Sequence, residues 1–282
     1  MSNLTCFCDN RFMPLSEASL PVNDLGYQRG YGIFDFLRVT GNAPLYWEDH
    51  LDRFFFSAQA MHLPVKYQRD ALQQIILQLI KENALPFSGI RIMLSGGSSP
   101  DGYQITEPNL VIVQTPLTPP PDQVMLPGYK VVSYPHQRQM PHVKTTDYLM
   151  AIWLQPWVKQ QNADDVLYHQ NGIITEFPRS NFFLVTDDQT IVTPEKNILA
   201  GITRKQILQV AEANGLRVIQ KDISLEEIGA AREAFISSST KRVIPIRQLD
   251  DIQFAPYTTE SVTAKLFGWL RQHEITTAGK AH

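Results

Sequence analysis

Apolar positions recur every three or four residues through HLDRFFFSAQAM and again through DALQQIILQLIKENA, which predicts helices from about Glu48 to Met61 and over 70–84. Around them the pattern turns strand-like. VTGNAPLYW reads as strand, turn, strand, and GIRIMLSGG and NLVIVQTP read as two further strands. This first part is an α+β arrangement. It stops at TPLTPPPDQVMLPG, residues 115–128, whose five prolines exclude both a helix and a central strand. The chain is therefore expected to hold a small N-terminal α/β domain over 1–117, a proline-rich linker over 118–123 and a larger C-terminal domain over 124–282.

The second part opens on GYKVVSYPHQRQM, which starts as an alternating strand, and continues through PHVKTTDYL into TDYLMAIWLQPWV, whose apolar positions have helical spacing. Lys144 is thus expected at a strand-to-helix junction. A single lysine is most often just solvated, so its surroundings must decide what it does. Asn171-Gly172 between the apolar runs of DVLYHQNGIITEF predicts a hairpin, and NFFLVTDDQTIVTP predicts a second. Helix ITRKQILQVAEANG is closed by Gly215, strand LRVIQKDI follows, and SLEE is a capping box in which Ser224 and Glu227 bond reciprocally. Strand EAFISSST, a turn and helix SVTAKLFGWLRQH complete the chain, without internal repeats.

Composition narrows the function by exclusion. With 282 residues, 43% hydrophobic, 19% charged and a net charge of −3, the chain has no basic excess that would suit nucleic acid. A small-molecule partner is expected. Cys6 and Cys8 fall on one face of one strand, where a disulfide would be strained, and no further cysteine supports a zinc site. No stretch has the length to span a membrane, and MSNLTCFCDNRFM lacks the basic start and apolar run of a signal peptide. A reduced, cytoplasmic protein is expected.

Several polar residues stand where the pattern calls for apolar ones. Glu176, expected on the returning strand of the first hairpin, needs a partner because a lone buried carboxylate is costly. That partner is either Arg179, three residues on, or a protonated ring nitrogen of a bound cofactor. In AGITRKQIL, Gly201, Ile202 and Thr203 open a helix whose first N–H groups can hold an anion, and SSST over 237–240 adds hydroxyls at a turn. Each is equally a plain cap or turn. Arg53 sits in the apolar helix face of HLDRFFF, where a snorkelling arginine is the ordinary reading. A lysine, a carboxylate, a helix-start anion site and an arginine are together the parts needed to hold pyridoxal phosphate.

From DLGYQRGYGIFDFLRV through HLDRFFFSA, SGGSSP, VKTTDYL, ITEFPRSNFF and LAGITR to FISSSTKRVIPI, the sequence resembles the class IV, fold type IV, pyridoxal-phosphate aminotransferases. That family includes D-amino-acid transaminases, branched-chain aminotransferases and aminodeoxychorismate lyases. The resemblance implies a two-domain α/β fold with a β-barrel-like C-terminal domain. It also implies that Lys144 binds the cofactor as a Schiff base and shuttles a proton between the substrate Cα and the cofactor C4′, while Glu176 keeps the pyridine nitrogen protonated. Arg53, Ile202, Thr203, Ser239 and Thr240 match the phosphate cup. Leu199 matches the residue packed on the ring, and Tyr148 matches the phenol that bonds the ring hydroxyl in branched-chain enzymes.

The substrate side departs from the family's D-amino-acid pattern. Typical members carry an arginine and a histidine after the SGGSSP-like loop, where this chain has Asp101 and Tyr103. Arg29, Arg91 and Arg179 are available instead as carboxylate forks. Arg91 could equally pair with an acid on a neighbouring strand, and Arg179 with Asp187 or Asp188. The reading is a transaminase acting on D-amino acids and 2-keto acids through this arginine set. Phe34, Phe36 and Tyr148 support a branched-chain L-amino-acid aminotransferase as the alternative, with aminodeoxychorismate lyase third. A non-catalytic binding homologue would need a broken Lys144 or Glu176, and neither is broken. The resemblance further implies a homodimer with its site between the domains, to which Arg29 or the loop from Pro100 to Tyr103 could contribute across the interface.

Overall fold

The computed structural model describes residues 4–119 and 126–280. Residues 120–123 of the expected linker lie outside them, as do 124 and 125. The chain divides into two compact units, one built from residues 4–119, 143–147 and 277–280, the other from 126–142 and 148–276.

The first unit contains β1 (Thr5–Cys8), β2 (Arg11–Pro14), α1 (Leu25–Arg29), β3 (Gly32–Thr40), β4 (Ala43–Pro44), α2 (Trp47–Ala60), α3 (Arg69–Asn83), β5 (Phe87–Ser95) and β6 (Leu110–Pro116). Its sheet runs β2-β1-β6-β5-β3-β4. The centre is the antiparallel pair β3 and β5, in register from Gly32 opposite Ser95 to Thr40 opposite Phe87. Both long helices are amphipathic, burying Leu51, Phe54 and Ala58 from α2 and Leu72, Ile75, Ile76, Leu79 and Ile80 from α3. On β3, Ile33, Leu37 and Val39 join that core. Asp35 shares their side of the strand by alternation and is fully buried.

Residues 143–147 belong to this unit although their sequence neighbours do not. Phe34 N–H donates to the Lys144 carbonyl at 3.0 Å, Thr146 N–H donates to the Gly32 carbonyl at 2.9 Å, and Thr145 forms an antiparallel bridge with Ile33. The segment acts as a short added strand on β3.

The second unit contains β7 (Tyr129–Pro135), α4 (Leu149–Trp153), α5 (Gln155–Gln160), β8 (Asp165–Gln170), β9 (Ile173–Ile174), β10 (Asn181–Val185), β11 (Ile191–Thr193), α6 (Ile202–Ala213), β12 (Val218–Gln220), β13 (Glu233–Ser238), β14 (Arg242–Leu249), β15 (Ile252–Gln253) and, up to residue 276, α7 (Val262–Lys280). Eight of its strands follow the order β12-β11-β10-β13-β14-β7-β8-β9, and β15 pairs with β14. The sheet curls, because Ile174 N–H at one end donates to the carbonyl of Ile223, just past the strand at the other end, at 2.8 Å. Along β10 the side chains alternate between two cores, Phe182 and Leu184 into one, Phe183 and Val185 into the other with α6 and α7. Glu233 fixes the start of α7, accepting from Val262 N–H at 3.0 Å, Thr263 N–H at 2.9 Å and the Thr263 hydroxyl at 2.7 Å.

In the second core the Phe183 and Phe235 rings stack with centroids 4.5 Å apart, and both are fully buried. Phe235→Ala leaves a cavity that close-packed neighbours fill only in part. It is expected to cost about 3–5 kcal/mol in denaturant unfolding, with the slope unchanged.

Most expected elements appear within a few residues of their predicted bounds. The helix expected through TDYLMAIWLQPWV is instead two short helices meeting at Leu154, because Pro156 has no N–H to donate and its ring crowds the carbonyl of residue 152. The hairpin turn at Asn171-Gly172 forms with φ of 52° and 81°, but β9 ends at Ile174, so Glu176 lies just beyond it. Of the capping box, one half is made: Ser224 N–H donates to the Glu227 carboxylate at 2.8 Å, at the start of a single 3₁₀ turn. Among the described residues no helix is long and apolar enough to cross a membrane.

Candidate active site

Lys144 neither ends a strand nor starts a helix. The added strand fixes its backbone, its N–H meets the Ser57 hydroxyl at 3.4 Å, and its Nζ lies 4.5 Å from the centre of the Phe34 ring. Phe34 alternates with Asp35 on β3, so neighbouring residues address opposite faces. The Asp35 carboxylate accepts from Arg53 Nε and Nη2, both at 2.8 Å, and from His50 Nδ1 at 2.6 Å. Burial alone would raise the Asp35 pKa; Arg53, and then His50, outweigh it and hold the carboxyl well below the usual carboxylate range. Burial likewise pushes His50 down, against the pull of Asp35.

In the second unit Glu176 is 4% exposed. Its partner is Arg138, not Arg179: Arg138 Nη1 donates to Oε1 at 2.9 Å and also to the Pro141 carbonyl at 3.2 Å. The other oxygen, Oε2, accepts from Leu199 N–H at 3.0 Å. Asn181 ties the same loop by donating to the Leu199 carbonyl at 2.9 Å, and it lies so close to Gly201 that a Cβ there would sit 2.0 Å from its Oδ1. Glu176, Leu199 and the start of α6 are thereby joined. Ile202 and Thr203 are buried in the first turn of α6, which no side chain caps. Ser239 and Thr240 occupy the turn between β13 and β14. Tyr148 precedes α4, its carbonyl accepting from Ile152 N–H at 2.9 Å.

The substrate-side arginines differ in setting. Arg29 ends α1 and donates from Nε to the Gly102 carbonyl at 3.1 Å. Arg91 is exposed and stacks against Phe34 and Phe36, at 5.8 and 5.9 Å from their ring centres, so no neighbouring acid holds it. Arg179 is exposed in the turn between Phe177 and Ser180, while Asp188 is occupied by Thr186 and Thr190. None of the three arginines forms an ion pair among the described residues. Asp101, where a carboxylate trap would need a cation, caps its own loop by accepting from Tyr103 N–H at 2.9 Å and Gln104 N–H at 2.8 Å.

A family model for class IV amino-transferases matches residues 32–249, which span Lys144, Glu176, the start of α6 and the β13–β14 turn. The chain belongs to the class IV aminotransferases. This class IV aminotransferase is 26% identical over 281 residues to a D-alanine aminotransferase of Listeria monocytogenes, covering 96% of each chain. Its fold matches a branched-chain aminotransferase from Thermoproteus uzoniensis (TM-score 0.86, 23% identity, 99% and 97% of the two chains). It also matches a branched-chain amino acid aminotransferase from Escherichia coli (TM-score 0.85, 21% identity, 94% and 92%).

Class IV aminotransferases are pyridoxal-phosphate enzymes, and the residues of the second unit fit that group. The Ser180 and Ser237 hydroxyls are buried without a hydrogen-bond partner among the described residues, one just before Asn181 at the start of β10 and the other opposite Asn181 on β13. Such hydroxyls, beside an uncapped helix start and a glycine that keeps the backbone bare, suit an anion rich in acceptor oxygens.

Sequence reasoning missed Arg138, Asp35 and His50. Arg138 lies 38 residues from its partner, and spacing cannot find a pair made by folding. The other two left a trace. Asp35 interrupts the apolar face of GIFDFLRV, and His50 stands three residues before Arg53 on one helix face.

Proposed function

We propose that the protein moves the amino group of a D-amino acid onto a 2-keto acid, gripping the carboxylates with arginines. The supporting observation is similarity along nearly the whole chain to D-alanine aminotransferases. When bound, pyridoxal phosphate supplies an electron sink for the carbanion formed at the substrate Cα. Lys144 would hold the cofactor covalently, and its Nζ would carry the proton to and from the substrate Cα. Glu176 accepts the ring N–H, oriented by Arg138 and by Leu199 N–H. Arg53, Ile202, Thr203, Ser239 and Thr240 would hold the phosphate, Tyr148 would bond the ring hydroxyl, and Leu199 would pack on the ring. Arg29, Arg91 and Arg179 hold carboxylates, and Phe34 lies along the substrate. Two such half-reactions, the second run in reverse with another keto acid, complete the exchange.

A branched-chain L-amino-acid substrate is the second reading, favoured by the Phe34 and Phe36 rings that flank Arg91. Keto acid formation from D-alanine, D-glutamate and L-leucine separates the two. Turnover of the D-amino acids supports the first reading, and turnover of L-leucine alone replaces it with the second. Arg91→Ala is expected to raise KM roughly 10- to 100-fold with kcat little changed, because a guanidinium grips substrate in both ground and transition states.

We also propose a cytoplasmic homodimer, in keeping with the free thiols of Cys6 and Cys8 and with Tyr27 and Trp153 exposed at 78% and 63%. Sedimentation at the mass of one chain would refute the dimer.

A further inference from the structure

We propose that Asp35 and His50 are positioning residues for the cofactor phosphate, acting through Arg53; this rests on the reading of Arg53 as a phosphate-holding residue. Asp35 is fully buried, and its carboxylate gathers four donors: Arg53 Nε and Nη2, His50 Nδ1 and Phe36 N–H. A carboxylate that engages a guanidinium along its Nε–Nη2 edge fixes the plane of the fork, and with it the direction of Nη1. His50 holds the carboxylate from the side, one helical turn before Arg53 on α2, so one helix and one strand close the triad.

A buried ion pair is a poor source of stability. This one lies on β3, next to the residue whose ring faces Lys144 Nζ and whose N–H holds the Lys144 carbonyl. Any tilt of Arg53 would thus be registered within the strand to which the segment of Lys144 is hydrogen-bonded. Orientation and charge also pull in opposite directions here. Asp35 cancels the charge of Arg53, so a carboxylate with only an electrostatic effect would weaken phosphate binding. One that aims the fork would strengthen it.

The sign of the change therefore decides. Holoenzyme of the full chain is stripped of cofactor, and the affinities for pyridoxal phosphate and for pyridoxal, which lacks the phosphate, are measured for each variant. Asp35→Asn and Arg53→Lys are each expected to weaken pyridoxal phosphate binding by about tenfold or more while leaving pyridoxal binding unchanged. If Asp35→Asn does not fold, the His50 pair tests the same point without changing charge. His50→Gln, which withdraws the donor from the Nδ1 position, is expected to weaken phosphate-dependent binding, and His50→Asn, which restores a donor there, to recover it. Unchanged or tighter pyridoxal phosphate binding in Asp35→Asn, or equal behaviour of the two His50 variants, overturns the proposal while Arg53 keeps its role if Arg53→Lys still weakens binding. An Arg53→Lys enzyme that binds pyridoxal phosphate normally overturns the phosphate reading of Arg53 itself.

Discussion

Lys144→Ala is expected to lower transamination by roughly 10⁴-fold or more, since in the role proposed for Lys144 it would remove the covalent anchor and the proton carrier together. The backbone at Lys144 is fixed by its neighbours. Lys144 is held by hydrogen bonds to β3 just after its Cα, through its own carbonyl and through Thr146 N–H, and Ser57 of α2 meets its N–H on the other side. Only the side chain can swing, over the Phe34 ring. Borohydride reduction followed by peptide mass analysis should fix the cofactor to Lys144 in the wild type and to no residue in the variant. Lys144→Arg keeps the charge but not the nucleophile and is expected to fail alike. An adduct elsewhere on the chain, or substantial turnover by Lys144→Ala, would remove Lys144 from the chemistry.

The periodic helices and strands of the first unit were legible because each presents one apolar face, which α2, α3 and β3 then bury together. Local chemistry carried as far, as the turn at Asn171-Gly172 and the closure of α6 by Gly215, at φ 79°, illustrate. What stayed illegible was produced by packing. Nothing in PHVKTTDYL tells that Lys144 will add to the edge of a strand more than a hundred residues earlier. A buried Glu176 could be inferred to need a cation, but the nearest one in sequence, Arg179, was the wrong one. Proximity along the chain is a weak guide when a tight turn points Arg179 outward and a separate loop brings Arg138 in. For Arg91 the ion-pair alternative failed because its cross-strand neighbours are the aromatic Phe36 and the apolar Val113, which offer a stacking surface and no carboxylate.

Glu176→Gln should separate the two tasks that meet at that position. The amide keeps the shape and one acceptor but cannot carry the charge that keeps a ring nitrogen protonated. We expect kcat to fall roughly 10²- to 10³-fold, the scale of losing one preorganised electrostatic contact, with KM little altered. Arg138→Leu acts first on the fold, since it leaves a nearly buried carboxylate without its counter-charge, at a cost of about 3–5 kcal/mol in unfolding. The double variant distinguishes the roles. Neutralising Glu176 in the Arg138→Leu background removes the unpaired charge, so stability should recover in large part while activity stays low. If the double variant recovered activity along with stability, Glu176 would matter only as the partner of Arg138, and its role at the ring nitrogen would be lost. Recovery of neither would mean that Arg138 chiefly holds the loop through the Pro141 carbonyl, and that the ion pair is incidental to both.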